Sequence, residues 1–321
     1  MTADLIESVF LPELGNPTLN RLDDAAVLNI NGQRLAITTD SYVVNPIFFP
    51  GGDIGSLAVH GTVNDLAMSG ARPLYMTASF ILEEGLAIED LRKIVRSMAK
   101  AANESGVELV AGDTKVVNHG AADKIFITTT GIGLVETSKA PSADQAQAGD
   151  CIVVSGDIGR HGMAIMCARE GLDLETVIES DSANLHPMTQ AMAAAGGNIH
   201  CLRDLTRGGL ASALNELSSS SNVGMEIVES NLPIHPEVRA ACELLGLDPL
   251  YVACEGRFVA ILPEPHVEEA LASINTNAHG KDARMIGKVV ADHPGRVVLK
   301  TRIGGRRIVD KLSGEQLPRI C

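Results

Sequence analysis

The most regular apolar pattern lies between Glu89 and Asn103. Leu91, Ile94, Val95, Met98, Ala99 and Ala102 recur at i, i+3, i+4, i+7, i+8 and i+11. That spacing puts one apolar stripe on a helix. Gly106 stops this helix, and Val107–Ala111 resumes as a strand. Upstream, Ala26–Ile30 and Arg34–Thr39 flank Asn31-Gly32, which predicts a hairpin with a two-residue turn. A second helix is predicted from Gly55 to Ser69, with Val59, Val63, Leu66 and Ala67 on one face, and Ile125–Val135 reads as a strand. The polar, small-residue stretch Glu136–Asp150 is the best linker.

Beyond it, Cys151–Ser155 reads as a buried strand, with Gly156 and Gly159 before a helix. Further helices are predicted at Asn184–Ala195, Arg207–Ser219 and Glu237–Leu244, and strands at Tyr251–Leu262 and Met285–Val290. Both halves are therefore mixed α/β. The expected organisation is an N-terminal unit over 1–140, a C-terminal unit over 149–310, and a mobile tail over 311–321 carrying Gly314 and Pro318.

Composition narrows the function. The chain has 321 residues, 45% hydrophobic and 21% charged, enough to bury sizeable cores. Its formal charge is −14 and its aromatic residues are Phe 6, Tyr 3 and Trp 0. An acidic chain with few stacking platforms is not built for general nucleic-acid binding. No apolar run approaches the ~18 residues that span a bilayer, and Asp4 and Glu7 leave no basic signal-peptide start. The six cysteines form no CxxC pair and read as reduced cytoplasmic thiols.

Five acidic sites sit where apolar segments meet turns: Asp23-Asp24, Asp40, Asp65, Asp113 and Asp204. Taken singly, each is most often a helix cap or turn former. Together they resemble a carboxylate set for a hard cation such as Mg²⁺ that in turn holds phosphates. Two Gly-rich segments are candidate phosphate loops. Pro50-Gly51-Gly52-Asp53-Ile54-Gly55 opens a helix and offers free N–H groups. Gly112-Asp113-Thr114-Lys115 offers N–H groups, a hydroxyl and a cation in one turn. Neither is a Walker A loop. Cys321 is the last residue, on an arm that could carry a thiol into a remote site.

DDAAV (Asp23–Val27), TTDS (Thr38–Ser41), Asn64-Asp65, GDT (Gly112–Thr114) and DLTRGGL (Asp204–Leu210) resemble the ATP-binding superfamily of aminoimidazole ribonucleotide synthetase, selenophosphate synthetase and thiamine monophosphate kinase. Within it, FFPGGDIG (Phe48–Gly55), FILEEG (Phe80–Gly85), GDTKVV (Gly112–Val117) and the terminal PRIC (Pro318–Cys321) resemble the HypE family of hydrogenase maturation carbamoyl dehydratases. Members usually carry an HGxGG-like segment before the first helix, and this chain starts Met1-Thr2-Ala3-Asp4 without it.

The resemblance implies a two-domain fold of the aminoimidazole ribonucleotide synthetase type, with an N-terminal mixed sheet that forms a homodimer. It implies ATP and Mg²⁺ as cofactors. The implied reaction is ATP-dependent dehydration of an S-carboxamide on the terminal cysteine to an S-cyanide, for the iron of [NiFe]-hydrogenase. The implied partners are the carbamoyltransferase HypF and the HypC–HypD scaffold, with no nucleic acid and no membrane. By motif match, Asp24, Asp65 and Asp204 become the metal ligands. Asp40, Gly112, Asp113 and Thr114 become nucleotide-binding residues. Cys321 becomes the acceptor, with Glu255 and Lys115 as candidate base and oxygen-orienting cation.

Two rivals stay open from the residues alone. One is another ATP-using member such as a selenophosphate synthetase, which would want a Cys near its start, whereas the first here is Cys151. The other is a non-catalytic maturation scaffold. The tail is expected to point outward when unmodified and inward once carbamoylated with ATP bound, burying Leu317, Pro318 and Ile320 and turning Arg319 to an acidic partner.

Overall fold

The structure is a computed structural model, and it describes residues 5–137, 139–172, 176–196, 198–311 and 319–321. The expected hairpin forms between β1 (Ala26–Ile30) and β2 (Gln33–Tyr42), with Ile30 opposite Gln33. Asn31 and Gly32 both take positive φ (52° and 83°), as a primed two-residue turn requires. Helix α1 (Ile54–Met68) follows, then β3 (Ala71–Glu83), α2 (Ile88–Ser105), β4 (Glu108–Val117) and β5 (Ile125–Val135). The sheet order is β1-β2-β5-β3-β4, with β3 and β4 parallel and the other pairs antiparallel. Helix α2 makes the crossover between the parallel strands, and Gly106 ends it in the left-handed region.

The C-terminal half contains β6 (Cys151–Val154), α3 (Arg160–Glu170), α4 (His186–Ala194), β7 (Cys201–Asp204), α5 (Gly209–Ser220), β8 (Gly224–Val228), α6 (Pro236–Leu245), β9 (Phe258–Leu262), α7 (Val267–Asn275), β10 (Arg284–Val290), β11 (Val297–Lys300) and β12 (Arg306–Val309). These strands form a seven-stranded sheet in the order β12-β11-β8-β10-β6-β9-β7. Every residue of β6 and of β9 is buried, so apolar alternation could not mark them. No described helix is long and apolar enough to cross a membrane.

Helix α1 is buried nearly all round, not on one face. It packs on β2, β3 and β5 on one side and meets α4 and β7 of the other half. This placement brings Asp65, on α1, up to Asp204, at the end of β7. The expected strand Tyr251–Leu262 is shorter, because residues 252–257 cross between the halves as irregular chain and only Phe258–Leu262 pairs.

Two sequence expectations about loops are corrected. The helix start at Pro50–Gly55 is closed. The Asp53 side chain accepts from Gly55 N (2.7 Å) and Ser56 N (3.1 Å), and the Ser56 hydroxyl accepts from Asp53 N in a capping box. Those N–H groups are spent on the cap. Gly112-Asp113-Thr114-Lys115 is not a turn but the middle of β4, paired residue for residue with Ala78–Ile81. A Cβ at Gly112 would lie 2.5 Å from Ala78 O, so the glycine serves strand packing here.

Candidate active site at the junction of the two halves

Three carboxylates converge from three elements. Asp24 precedes β1, Asp65 lies on α1 and Asp204 ends β7. One oxygen from each lies within 4.8 Å of the others. Thr38 on β2 donates its hydroxyl to Asp65 Oδ2 at 2.6 Å and lies 3.0 Å from the Asp24 carbonyl. Arg203 pairs with Asp24 Oδ1 at 3.0 Å and with Glu216 at 2.6 Å. Asp24 Oδ2 is buried without a hydrogen-bond partner.

The electrostatics are those of an anion cluster short of positive charge. Burial raises Asp24 well above the usual carboxylate range, although Arg203 opposes it. Burial also raises Asp65, with Asp40, Asp204 and Asp24 adding repulsion. Asp204 is pushed up to about 6 by burial, opposed by Arg203. A hard divalent cation would relieve this repulsion and give the orphaned Asp24 oxygen a partner. The residues therefore fit Mg²⁺. An open cleft of about 400 Å³ lies beside them, lined by Thr18, Leu19, Leu22, Asp24, Val27 and Thr38.

Glycines hold the loops of this site close to the opposite chain. Gly209, at φ +59°, begins α5 after the Asp204–Arg207 loop, and a Cβ there would lie 2.6 Å from Val252 O. A Cβ on Gly256 would lie 1.8 Å from Asp181 O, so only glycine lets the loop carrying Glu255 lie there. Asn64, next to Asp65, donates to Glu255 O (3.2 Å) and Ala183 O (3.0 Å) and accepts from Leu185 N (2.8 Å). Glu255 is 2% exposed and its Oε1 has no hydrogen-bond partner. Burial raises its carboxyl, and Asp204, Asp181 and Asp40 push the same way.

The chain end enters this site. Val43 N donates to Cys321 O and Asn45 N to Arg319 O, each at 3.1 Å, and Ile320 bridges Val44 antiparallel. Ile320 is 8% exposed and belongs to the apolar cluster around α1. The Cys321 thiol lies beside the Glu255 carboxyl, close enough for the charge of one to act on the other. Burial raises the thiol, and Glu255 adds to it while Arg207 opposes.

The expected outward position of the unmodified tail is thus corrected. Its tip docks inward with a bare thiol, because the backbone ladder and the Ile320 pocket do not depend on a carbamoyl group. Arg319 meets an acid of its own chain, Asp123, at 3.1 Å. Leu317 and Pro318 lie outside the described residues.

The structure brings Asp24, Asp65, Asp204, Glu255 and Cys321 together. Asp40 lies near them and charges Asp65, Asp204 and Glu255. Asp23 turns away and accepts from Ala143 N at 3.0 Å, pinning the linker. Gly112, Asp113, Thr114 and Lys115 stand on the exposed edge strand β4. Lys115 pairs there with Asp113 at 2.9 Å, and among the described residues neither bonds to the acid cluster. Sequence reasoning missed Arg203, Thr38 and His161. Thr38 sat inside the quoted TTDS motif, Arg203 stands immediately before the DLTRGGL motif beside the chosen Asp204, and His161 carried no signal at all.

Residues 22–135 match AIR synthase related protein, N-terminal domain, and residues 147–300 match AIR synthase related protein, C-terminal domain. The carbamoyl dehydratase HypE of Azotobacter vinelandii is 55% identical over 317 residues, covering 99% of this chain and 93% of that protein. A solved HypE–HypF complex superposes at TM-score 0.92 and 48% identity, covering 96% of this chain and 99% of that one. A HypE structure in complex with ATP gives TM-score 0.88 and 50% identity, covering 100% of this chain and 96% of that one. With both AIR synthase-type domains and this similarity over its whole length, the chain belongs to the HypE carbamoyl dehydratase family.

Proposed function

We propose that this chain is an ATP-dependent carbamoyl dehydratase acting on its own terminus. A carbamoyl group placed on Cys321 is converted from S–C(=O)–NH₂ to S–C≡N, with ATP giving ADP and phosphate. The observation that carries the reading is the chain end, held by Val43 N on Cys321 O with its thiol beside Glu255, in a loop tied through Asn64 to the helix that carries Asp65.

An amide oxygen is a poor leaving group, so it takes the γ-phosphoryl group of ATP and leaves as phosphate. Phosphoryl transfer asks mainly for positioning and charge neutralisation. Asp24, Asp65 and Asp204 would hold Mg²⁺, which when bound neutralises charge on the phosphates. Asp40 faces the same space. The amide nitrogen gives up both of its hydrogens on the way to the nitrile: one leaves to solvent once the oxygen is phosphorylated, and Glu255 is placed to take the other as the carbon–oxygen bond breaks. Its raised carboxyl makes it a better base than an ordinary surface carboxylate.

Gly112, Asp113, Thr114 and Lys115 serve the nucleotide and the amide oxygen in this reading, and they do so from a second copy. Tyr75, Ile81, Leu109, Val110 and Val116 are exposed apolar residues of β3 and β4. An apolar edge strand of that kind asks for a cover, and a homodimer supplies one while carrying Lys115 toward a partner site. The domain bounds are 1–140 and 149–310, with 311–321 as the arm. HypF loads Cys321, and the cyanide passes to a HypC–HypD scaffold in the cytoplasm for the [NiFe]-hydrogenase iron.

The test is mass spectrometry of the terminal peptide after incubation with HypF, carbamoyl phosphate and ATP. A carbamoyl adduct on Cys321 that then loses one water is expected. An adduct that stays intact with Mg-ATP present, or a terminus never modified, overturns the reading.

A further inference from the structure

One buried histidine has no part in the reaction above yet touches the terminus. His161, the second residue of α3, is 0% exposed. Its Nε2 lies 2.6 Å from the carbonyl oxygen of Ile320, the residue before the acceptor thiol. Its Nδ1 lies 2.8 Å from Ser180 Oγ, and the Phe49 ring stands edge-on to it at 5.5 Å.

The hydrogens can be assigned. A carbonyl only accepts, so Nε2 carries the hydrogen and Nδ1 of the neutral ring must accept. Ser180 Oγ already accepts from Ser182 N at 3.1 Å, which leaves its own hydrogen for Nδ1. Ser180 is itself fixed by a 2.8 Å bond from its N–H to Pro50 O. The serine therefore locks the tautomer that donates to the tail. Burial favours the neutral ring, with the Ile320 carbonyl opposing.

We propose that His161 is a positioning residue that sets the register of the terminal segment, holding the Ile320 carbonyl so that the Cys321 sulfur, bare or carbamoylated, stays at Glu255. The proposal rests on the reading of Cys321 as acceptor. The grip falls on a backbone carbonyl, so it is indifferent to what the sulfur carries. It also comes from the C-terminal half, whereas the Val43–Asn45 ladder comes from the N-terminal half, so the segment is clamped from both sides. Register matters because a slip of one residue in extended chain shifts it by ~3.3 Å and reverses the faces of the side chains. Arg169 holds the preceding carbonyl, Arg319 O, at 2.7 Å from a more exposed position.

The experiment measures three quantities on the full chain: the rate at which iodoacetamide alkylates Cys321, the single-turnover rate of water loss from the carbamoylated terminus, and ATP affinity. The other five cysteines are buried, which makes the first readout selective. His161→Phe keeps a ring but loses the donor. It is expected to raise alkylation about tenfold and slow water loss about tenfold, with ATP affinity unchanged. His161→Gln restores an N–H and should recover most of both. Ser180→Ala frees the tautomer and should raise alkylation about threefold. A merely structural role would lower melting temperature without this Gln rescue or a selective rise at Cys321.

Unchanged alkylation in a folded His161→Phe protein overturns the proposal, as does a Gln variant no better than Phe. If His161→Phe does not fold, Ser180→Ala decides, and alkylation at the starting rate overturns it. The alkylation arm needs no carbamoyl chemistry, so it stands even if the dehydratase reading falls. Unchanged alkylation with normal water loss would sink this inference alone.

Discussion

The Asn64 amide donates to the backbone carbonyl of Glu255 across 191 residues of sequence, at 3.2 Å. Asn64 is next to the metal-site candidate Asp65 and 1% exposed. One side chain thus fixes the distance between the carboxylate cluster and the carboxyl that meets the thiol. Both ends of the proposed reaction are referred to the same helix, α1.

Glu255→Gln keeps the size and the backbone bonds of this loop but removes the proton acceptor. Water loss from the carbamoylated terminus should slow about 10²- to 10⁴-fold, the usual worth of a positioned base. Loading of the carbamoyl group should be unchanged. Single-turnover mass spectrometry checks both steps, and a normal rate of water loss would remove Glu255 from the mechanism.

Cys321→Ala removes the acceptor and nothing that holds ATP. Fold and nucleotide affinity should stay as they are, while modification disappears. The control is decisive because Cys151, Cys167, Cys201, Cys242 and Cys254 are all buried. Carbamoyl label retained at full level on the variant would move the acceptor elsewhere.

Asp65→Asn takes one charge from a crowded carboxylate set. Mg-ATP affinity should fall at least about tenfold, because a ligand is lost where little water can replace it. The metal-free protein should become more stable at neutral pH, since burial and Asp40, Asp204 and Asp24 all oppose the ionised form of Asp65. Calorimetry for binding and thermal melting for stability give opposite signs if the cluster is a cation site. Equal Mg-ATP affinity in the two proteins would refute it.

Val116 is 69% exposed and Val110 is 54% exposed on the edge strand β4. Replacing either with Lys should leave the folded monomer within about 0.5 kcal/mol of its stability. In sedimentation velocity the same change should convert a dimer to a monomer, and dehydration should fall with it because Lys115 then lacks a second site to serve. A dimer that survives both changes would place the interface elsewhere.

His60 gives the pH dependence a sign. Burial, with help from His279, pushes it down from 6.5 to about 4, and its Nδ1 lies 3.0 Å from Ser182 Oγ across the two halves. The unfolded chain takes up the proton first. The stabilising term is therefore whole above pH 6.5 and is lost as pH falls toward 4, by up to ~3 kcal/mol. His60→Gln should flatten that loss. Urea denaturation at pH 7.5 and pH 4.5 measures it, and identical pH slopes for both proteins would exclude His60 as the cause.

The parts of this site legible in the sequence are those with local causes. Asp24, Asp65 and Asp204 each stand at the edge of an apolar segment, inside a short motif, and the fold brings them together. The hairpin at Asn31-Gly32 and the end of α2 at Gly106 follow from φ demands that few residues meet. The Gly112–Lys115 segment misled because Gly and Asp carry turn propensity, and pairing with β3 overrides it. The loop before α1 misled because Asp53 consumes the N–H groups that seemed free for an anion. The docked terminus left no trace in the sequence around it. Its holders, Val43, Asn45 and His161, are all remote in the chain, and nothing near Ile320 announces them.

Ile320 is part of an apolar core and also the neighbour of the proposed acceptor, Cys321. Withdrawing it exposes a side chain whose burial is worth about 1.5–3 kcal/mol, a factor of roughly ten to a hundred against the open form. Loading of Cys321 is then gated by a small local unfolding event in the acceptor protein, not by the search of a free arm. Its rate should follow the opening equilibrium of the Val43–Asn45 amides in hydrogen exchange, rising with mild denaturant well before the fold is lost. The modifying enzyme, on this view, captures a rare conformation and never meets the ground state.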